Sequence, residues 1–115
     1  MKIVLVLLFL FLFCNHGFAA EPDCDGPDQW AAKITFIHLK NAGFTNNDNT
    51  DFSKTKSIRL ASEKIGPDLY RQVHYVTYVQ KSGKTIDSIA INNTSSEECS
   101  MSGVEVFVIH TMLGP

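Results

Sequence analysis

The chain has 115 residues, of which 44% are hydrophobic and 19% charged, and a formal net charge of −2 at pH 7. That length supports one domain with a modest core and leaves no room for a second. A mildly acidic balance makes neither a nucleic acid nor an anionic membrane surface an expected partner.

At the start of the chain, Lys2 precedes an almost unbroken apolar run from Ile3 to Phe13, and small residues follow at Gly17, Ala19 and Ala20. This is the pattern of a secretory signal peptide. Eleven apolar residues fall short of the roughly 20 that a membrane-crossing helix takes, so no membrane span is expected. Cleavage after Ala19 places Gly17 and Ala19 at the small-residue positions that a signal peptidase reads. Residues 1–19 are therefore expected to be removed, leaving residues 20–115 as a single exported domain, periplasmic or extracellular. Without Lys2 the mature chain carries nine Lys and Arg against twelve Asp and Glu, a net charge of −3. Cys14 follows bulky Phe13 instead of the small residue that precedes a lipoprotein cysteine, and it is expected to leave with the leader.

Cys24 and Cys99 remain. In an oxidising compartment two thiols in a small domain are expected to pair with each other. A Cys24–Cys99 bridge closes nearly the whole domain into one loop, a constraint on the order of 4 kcal/mol in the chain-entropy account.

Next comes a helix. Gly26-Pro27 reads as its entrance, with Asp25 or Gly26 as cap and Asp28 in a first turn that favours negative charge. Asp28 to Ala42 contains no internal Gly or Pro, and Gly43 stands where a left-handed C-terminal cap is expected. Trp30, Ile34 and Ile37 share one face and Ala32, Phe36 and Leu39 another, so burial is expected on more than one side. After a polar connection at residues 46–53 the periodicity becomes alternating. Strands are expected at about residues 54–63, 69–80, 85–91 and 104–112, with Gly66-Pro67-Asp68 and Lys81-Ser82-Gly83-Lys84 as turns.

One helix followed by four closely connected strands predicts an α+β roll, in which the helix packs on a four-stranded antiparallel meander. This element order is similar to the cystatin-like and NTF2-like architectures. The resemblance implies a helix lying in the concavity of a curved sheet, and fold likeness of this kind carries no function by itself.

Candidate chemistry is sparse. His38, His74 and His110 stand on the helix and on strands two and four, and none has a second ligand at metal spacing. Ser100-Met101-Ser102-Gly103 lacks the G-x-S-x-G pattern of a nucleophile elbow. Asn46, Asp48 and Asp51 miss the spacing of a calcium loop, which also requires a glycine and a terminal glutamate. Asn92 and Asn93 begin overlapping glycosylation acceptors. No cofactor, metal site or catalytic residue is therefore expected.

The second strand carries the binding expectation. Tyr70, Gln72, His74, Val76, Tyr78 and Gln80 project to one side, and Leu69, Arg71, Val73, Tyr75, Thr77 and Val79 to the other. The second set holds more aliphatic residues and is expected to face the helix. Tyr70, His74 and Tyr78 would then form an outward aromatic ladder suited to a protein partner. The reading that follows is a small exported non-enzymatic protein that binds another protein, of periplasmic inhibitor or immunity type, through this face or the loop at residues 92–100. The alternative is a small-molecule or enzymatic pocket between helix and sheet, lined by Phe36, His38 and Tyr75. A homodimer through the second apolar face of the helix is a further expectation.

Overall fold

The computed structural model describes residues 21–110. The predicted leader with Cys14, and residues 111–112 of the predicted last strand, lie outside the described residues.

The helix starts later than its sequence signals suggest. Residues 26–29 form a turn closed by the Gln29 amide, which donates to the Gly26 carbonyl at 3.1 Å. Helix α1 then spans Trp30–Asn41, with Gln29 as an N-cap whose side chain makes no capping bond. Asp25 does not cap because its carboxylate is engaged elsewhere, by His74 and Arg59. The other end follows expectation. Gly43 has φ +81°, the Phe44 amide donates to the Leu39 carbonyl at 2.9 Å, and the Gly43 amide to the Lys40 carbonyl at 3.1 Å. This is a Schellman motif, and its left-handed position is one that glycine occupies without strain.

The polar connection is held by buried hydroxyls. Thr45 and Thr50 share a hydrogen bond of 2.9 Å, and Thr50 bridges to Gln80 at the end of the second strand. A short 3-10 helix, Phe52–Lys54, follows, capped by the Asp51 carboxylate, which accepts from the Ser53 amide.

The sheet consists of β1 (Lys56–Gly66), β2 (Leu69–Val79), β3 (Thr85–Thr94) and β4 (Glu105–Ile109), antiparallel throughout in the order β1-β2-β3-β4. The α+β meander read from the sequence is thus the fold. The strand ends differ from expectation. β1 and β3 each run three residues further, because the long register of β2 gives them partners as far as Leu69 and Tyr70. β4 is confined to five residues, and its partner β3 pairs with it only between Asp87 and Ile91. β1 has two irregularities, where Leu60 and Ile65 are extra residues without partners.

Against one face of this sheet α1 buries Ala31, Ala32, Thr35, Phe36 and Leu39. They meet Val76, Tyr78, Ile86, Ala90 and Val104 in the hydrophobic core. The alanines bring the helix close to the strands. Ile37, expected on a buried face, is 43% exposed. A 12-residue helix is only about 18 Å long, whereas the 11 residues of β2 span about 36 Å. The helix therefore covers roughly half of the sheet's inner face. The other half is roofed by extended chain at residues 21–25 and by the loop around Cys99, and the Cys24–Cys99 disulfide joins these two pieces.

Candidate binding surface

Under the second roof the inner face of the sheet is polar. Gln72 and His74 are wholly buried, as is Thr94, and Asn92 is nearly so. Gln72, His74 and Asn92 draw on roof or sheet for their partners. The Gln72 amide donates to the Pro22 carbonyl at 3.0 Å and to Ser62 Oγ at 3.2 Å. The Asn92 amide donates to the Cys99 carbonyl at 2.9 Å. The His74 ring pairs its Nε2 with Asp25 Oδ1 at 2.9 Å, which selects the tautomer carrying the proton on Nε2. Arg59 stands beside the same carboxylate, with Nε 3.7 Å from Oδ1, and also donates to the Pro22 carbonyl at 3.1 Å. Asp25 is thus held by two side chains from adjacent strands.

This overturns the face assigned to Tyr70, His74 and Tyr78. All three point inward, at 5%, 0% and 2% exposure respectively. Tyr78 lies beneath α1 with its hydroxyl donating to the Ala32 carbonyl, and burial pushes that hydroxyl above the usual phenol range. The error has a physical origin. Counting aliphatic residues presumes that the buried side of a strand meets an apolar helix, but half of it here meets polypeptide backbone and a carboxylate. Polar side chains at Gln72, His74 and Asn92 satisfy those groups.

The Asp25–His74 pair has the heavy-atom geometry of an acid–base couple. Its histidine is sealed from solvent, and His74 Nδ1 has no hydrogen-bond partner among the described residues. What the arrangement does chemically is fasten the N-terminal segment to the sheet. His38 is exposed on α1 and His110 is exposed beyond β4, its ring 5.3 Å from Phe44. The three histidines occupy separate places. Asn92, the first of the two glycosylation acceptors, is buried and donates to Cys99.

The outward face is the apolar one. Strand register aligns Ile58, Tyr75, Ile89 and Phe107 in one row across all four strands. The adjacent row is Ala61, Val73, Ile91 and Glu105, with the extra residue Leu60 beside it. Ile58, Leu60 and Phe107 are 58%, 56% and 55% exposed. An antiparallel sheet with one solvated face ordinarily reads hydrophobic inside and polar outside. Here the C-terminal part of β3 departs from that, with Asn92 and Thr94 inside and Ile89 and Ile91 outside, although Ile86 and Ala90 remain in the core. Charged residues flank the apolar rows. Lys56, Thr77, Asp87 and Ile109 align on one side, and Glu63, Arg71 and Asn93 on the other. Asp87 accepts from Thr77 Oγ1 at 2.8 Å, and burial, then the Asp87 carboxylate, raises the Tyr75 phenol above its ordinary range.

Sequence reasoning missed Ile58, Leu60, Tyr75, Ile89 and Phe107 as a surface. Comparing the two faces over β2 and β3 together would have found it, since the polar set on β3 continues that on β2.

Two other regions bear on binding. A half-open apolar cleft of about 450 Å³ lies between α1 and the 3-10 helix, lined by residues including Ala32, Phe36, Ile37, Phe52 and Tyr78. Of the pocket residues expected from sequence, Phe36 lines it, His38 faces away on the helix's other side, and Tyr75 lies across the sheet. The loop at residues 92–100 is braced against the β1–β2 turn, where Asp68 accepts from the Ser96 amide and hydroxyl at 3.1 and 2.7 Å. Those bonds hold the Asp68 carboxyl below its usual range.

Comparison with models of protein families, with curated proteins and with solved structures finds no match to this chain. The likeness to the cystatin-like and NTF2-like architectures is therefore one of element order alone. Among the described residues no helix is long and apolar enough to cross a membrane.

Proposed function

We propose that this is an exported, non-enzymatic protein-binding domain whose binding surface is the open outer face of the sheet. The observation that carries the reading is the row Ile58, Tyr75, Ile89 and Phe107, apolar across four strands and, among the described residues, left without a covering element. A continuous exposed apolar patch rimmed by charge is the signature of an interaction surface. Export is supported by the leader-like N-terminus and the disulfide. A foreign partner of this surface would make the domain an inhibitor or immunity-type factor.

The test is capture of partners from an envelope or secretory extract on the oxidised mature protein. A variant carrying Ile58→Ser, Tyr75→Ser and Phe107→Ser is the comparison, alongside Tyr70→Phe as an inner-face control. A protein retained by wild type and Tyr70→Phe but lost with the triple variant supports the reading. Equal retention by all three overturns it.

The apolar cleft favours a second reading, a site for a small apolar ligand, since its volume falls within the range of ligand pockets. Binding of a solvatochromic apolar probe that is lost with Ile37→Arg, but kept in the outer-face variant, would support that reading.

A further inference from the structure

Resting on the reading of the outer sheet face as a protein-binding surface, we infer that its occupant is a second copy of this chain, stacked face to face about a two-fold axis running across the strands. The charge map selects this arrangement. Such an axis, passing between the two apolar rows, reverses the direction along each strand but keeps every strand opposite its own counterpart. On β1, Lys56 of one copy then meets Glu63 of the other. On β2, Thr77 meets Arg71, and Asp87 on β3 lies one strand from that same Arg71, about 4.8 Å across the sheet and within reach of its guanidinium. Symmetry makes each contact twice. At the centre Ile58 meets Ala61, Tyr75 meets Val73 and Ile89 meets Ile91, so apolar residues cover each other on β1, β2 and β3, while on β4 Phe107 meets the aliphatic stem of Glu105, whose carboxylate lies at the edge of the sheet. Lys56, Glu63 and Arg71 form no ion pair within the chain among the described residues.

The other face-to-face two-fold, with its axis along the strands, is poorer. It sets Lys56 over Ile109, Thr77 over Asp87, Arg71 over Asn93 and Glu63 beyond the end of the short β4. No residue lies directly over one of opposite charge, and the nearest approach is Lys56, one strand from Asp87. Size sets the strength. Four strands and the eight residues from Lys56 to Glu63 give a footprint of about 19 by 26 Å, roughly 500 Å² per copy. That is below the roughly 800 Å² per partner of a standard stable interface, so the dimer is expected to dissociate in the micromolar range.

Sedimentation velocity on the oxidised mature protein, from about 1 to 500 μM to span that weak regime, is the test. Wild type is expected to pass from monomer to dimer. Lys56→Glu sets like charges together twice, and about a tenfold weaker dimer is expected. Adding Glu63→Lys exchanges the signs and is expected to restore the dimer, with near-ultraviolet circular dichroism confirming the fold of each variant. A protein that stays monomeric throughout overturns the second copy as occupant, and so does a dimer that Lys56→Glu and the exchange leave alike. If the chain is monomeric while the outer-face triple variant still loses a captured protein, only the choice of occupant falls. Should it be monomeric with capture unchanged, the binding reading falls with it.

Discussion

The two faces of the sheet carry opposite logic. The inner face is polar over half its length and covered along β2 and β3, whereas the outer face is apolar across its centre and covered nowhere among the described residues. Burial follows what the covering element offers, not the hydropathy of the strand. Where α1 covers the sheet, Val76, Tyr78, Ile86 and Ala90 meet its alanines and Phe36. Where backbone and Asp25 cover it, Gln72 and Asn92 donate to the Pro22 and Cys99 carbonyls and His74 pairs with the Asp25 carboxylate.

Paired substitutions break this comparison most sharply. Phe36→Ala, under the helix, is expected to cost about 3–5 kcal/mol through lost burial and a residual cavity. Ile58→Ala on the outer face is expected to cost about 0.5 kcal/mol or less in the monomer. Urea unfolding of both at low protein concentration checks the contrast, and equal losses would put Ile58 in a covered environment.

Replacing Cys24 and Cys99 by serine acts on the roof as a whole. Opening a bridge that separates its ends by 75 residues is expected to cost on the order of 4 kcal/mol. Hydrogen exchange sharpens the result, since amides of β2 and β3 near Gln72 and Asn92 should lose protection ahead of those under α1.

Asp25→Ala removes the acceptor of His74 and leaves a buried ring nitrogen unpaired, an expected loss of about 1–3 kcal/mol. Asp25→Asn keeps a side-chain carbonyl oxygen as acceptor for the Nε2 proton and should cost less. Thermal denaturation of the two variants separates this hydrogen bond from the mere presence of a side chain at position 25.

The smallest effect is on alkaline stability. Burial raises the Tyr78 hydroxyl above the ordinary phenol value of 10.0, so the folded state holds the neutral phenol more strongly than the unfolded chain does. Its contribution is fully present below pH 10 and is lost as pH rises beyond that towards the folded-state value. Tyr78→Phe is expected to cost about 1 kcal/mol at neutral pH and to flatten the decline above pH 10, which unfolding midpoints at neutral and alkaline pH would show.

Much of the fold was legible because local chemistry and global structure agree. Gly43 ends the helix where a left-handed residue was needed, Lys81 to Lys84 turn the β2–β3 hairpin, and Cys24 pairs with Cys99. The inside of the sheet was not legible from β2 alone. Leu69, Val73 and Val79 made the outer set look like core, since the identity of the roof depends on residues 21–25, some fifty positions earlier in the chain. The helix start was misplaced for a related reason. Asp25 has the right type and place for a cap, but it serves His74 instead.

The three tyrosines of the chain all lie on β2, which makes them reporters of its two faces. Hydroxyl-radical footprinting of the oxidised mature protein, at a sub-micromolar concentration that keeps any weak dimer apart, reads each by mass spectrometry. The account predicts ready oxidation of Tyr75 together with Phe107, and protection of Tyr70 and Tyr78 until the protein unfolds. Oxidation of Tyr70 and Tyr78 with Tyr75 protected would contradict it and return the aromatic ladder to the surface.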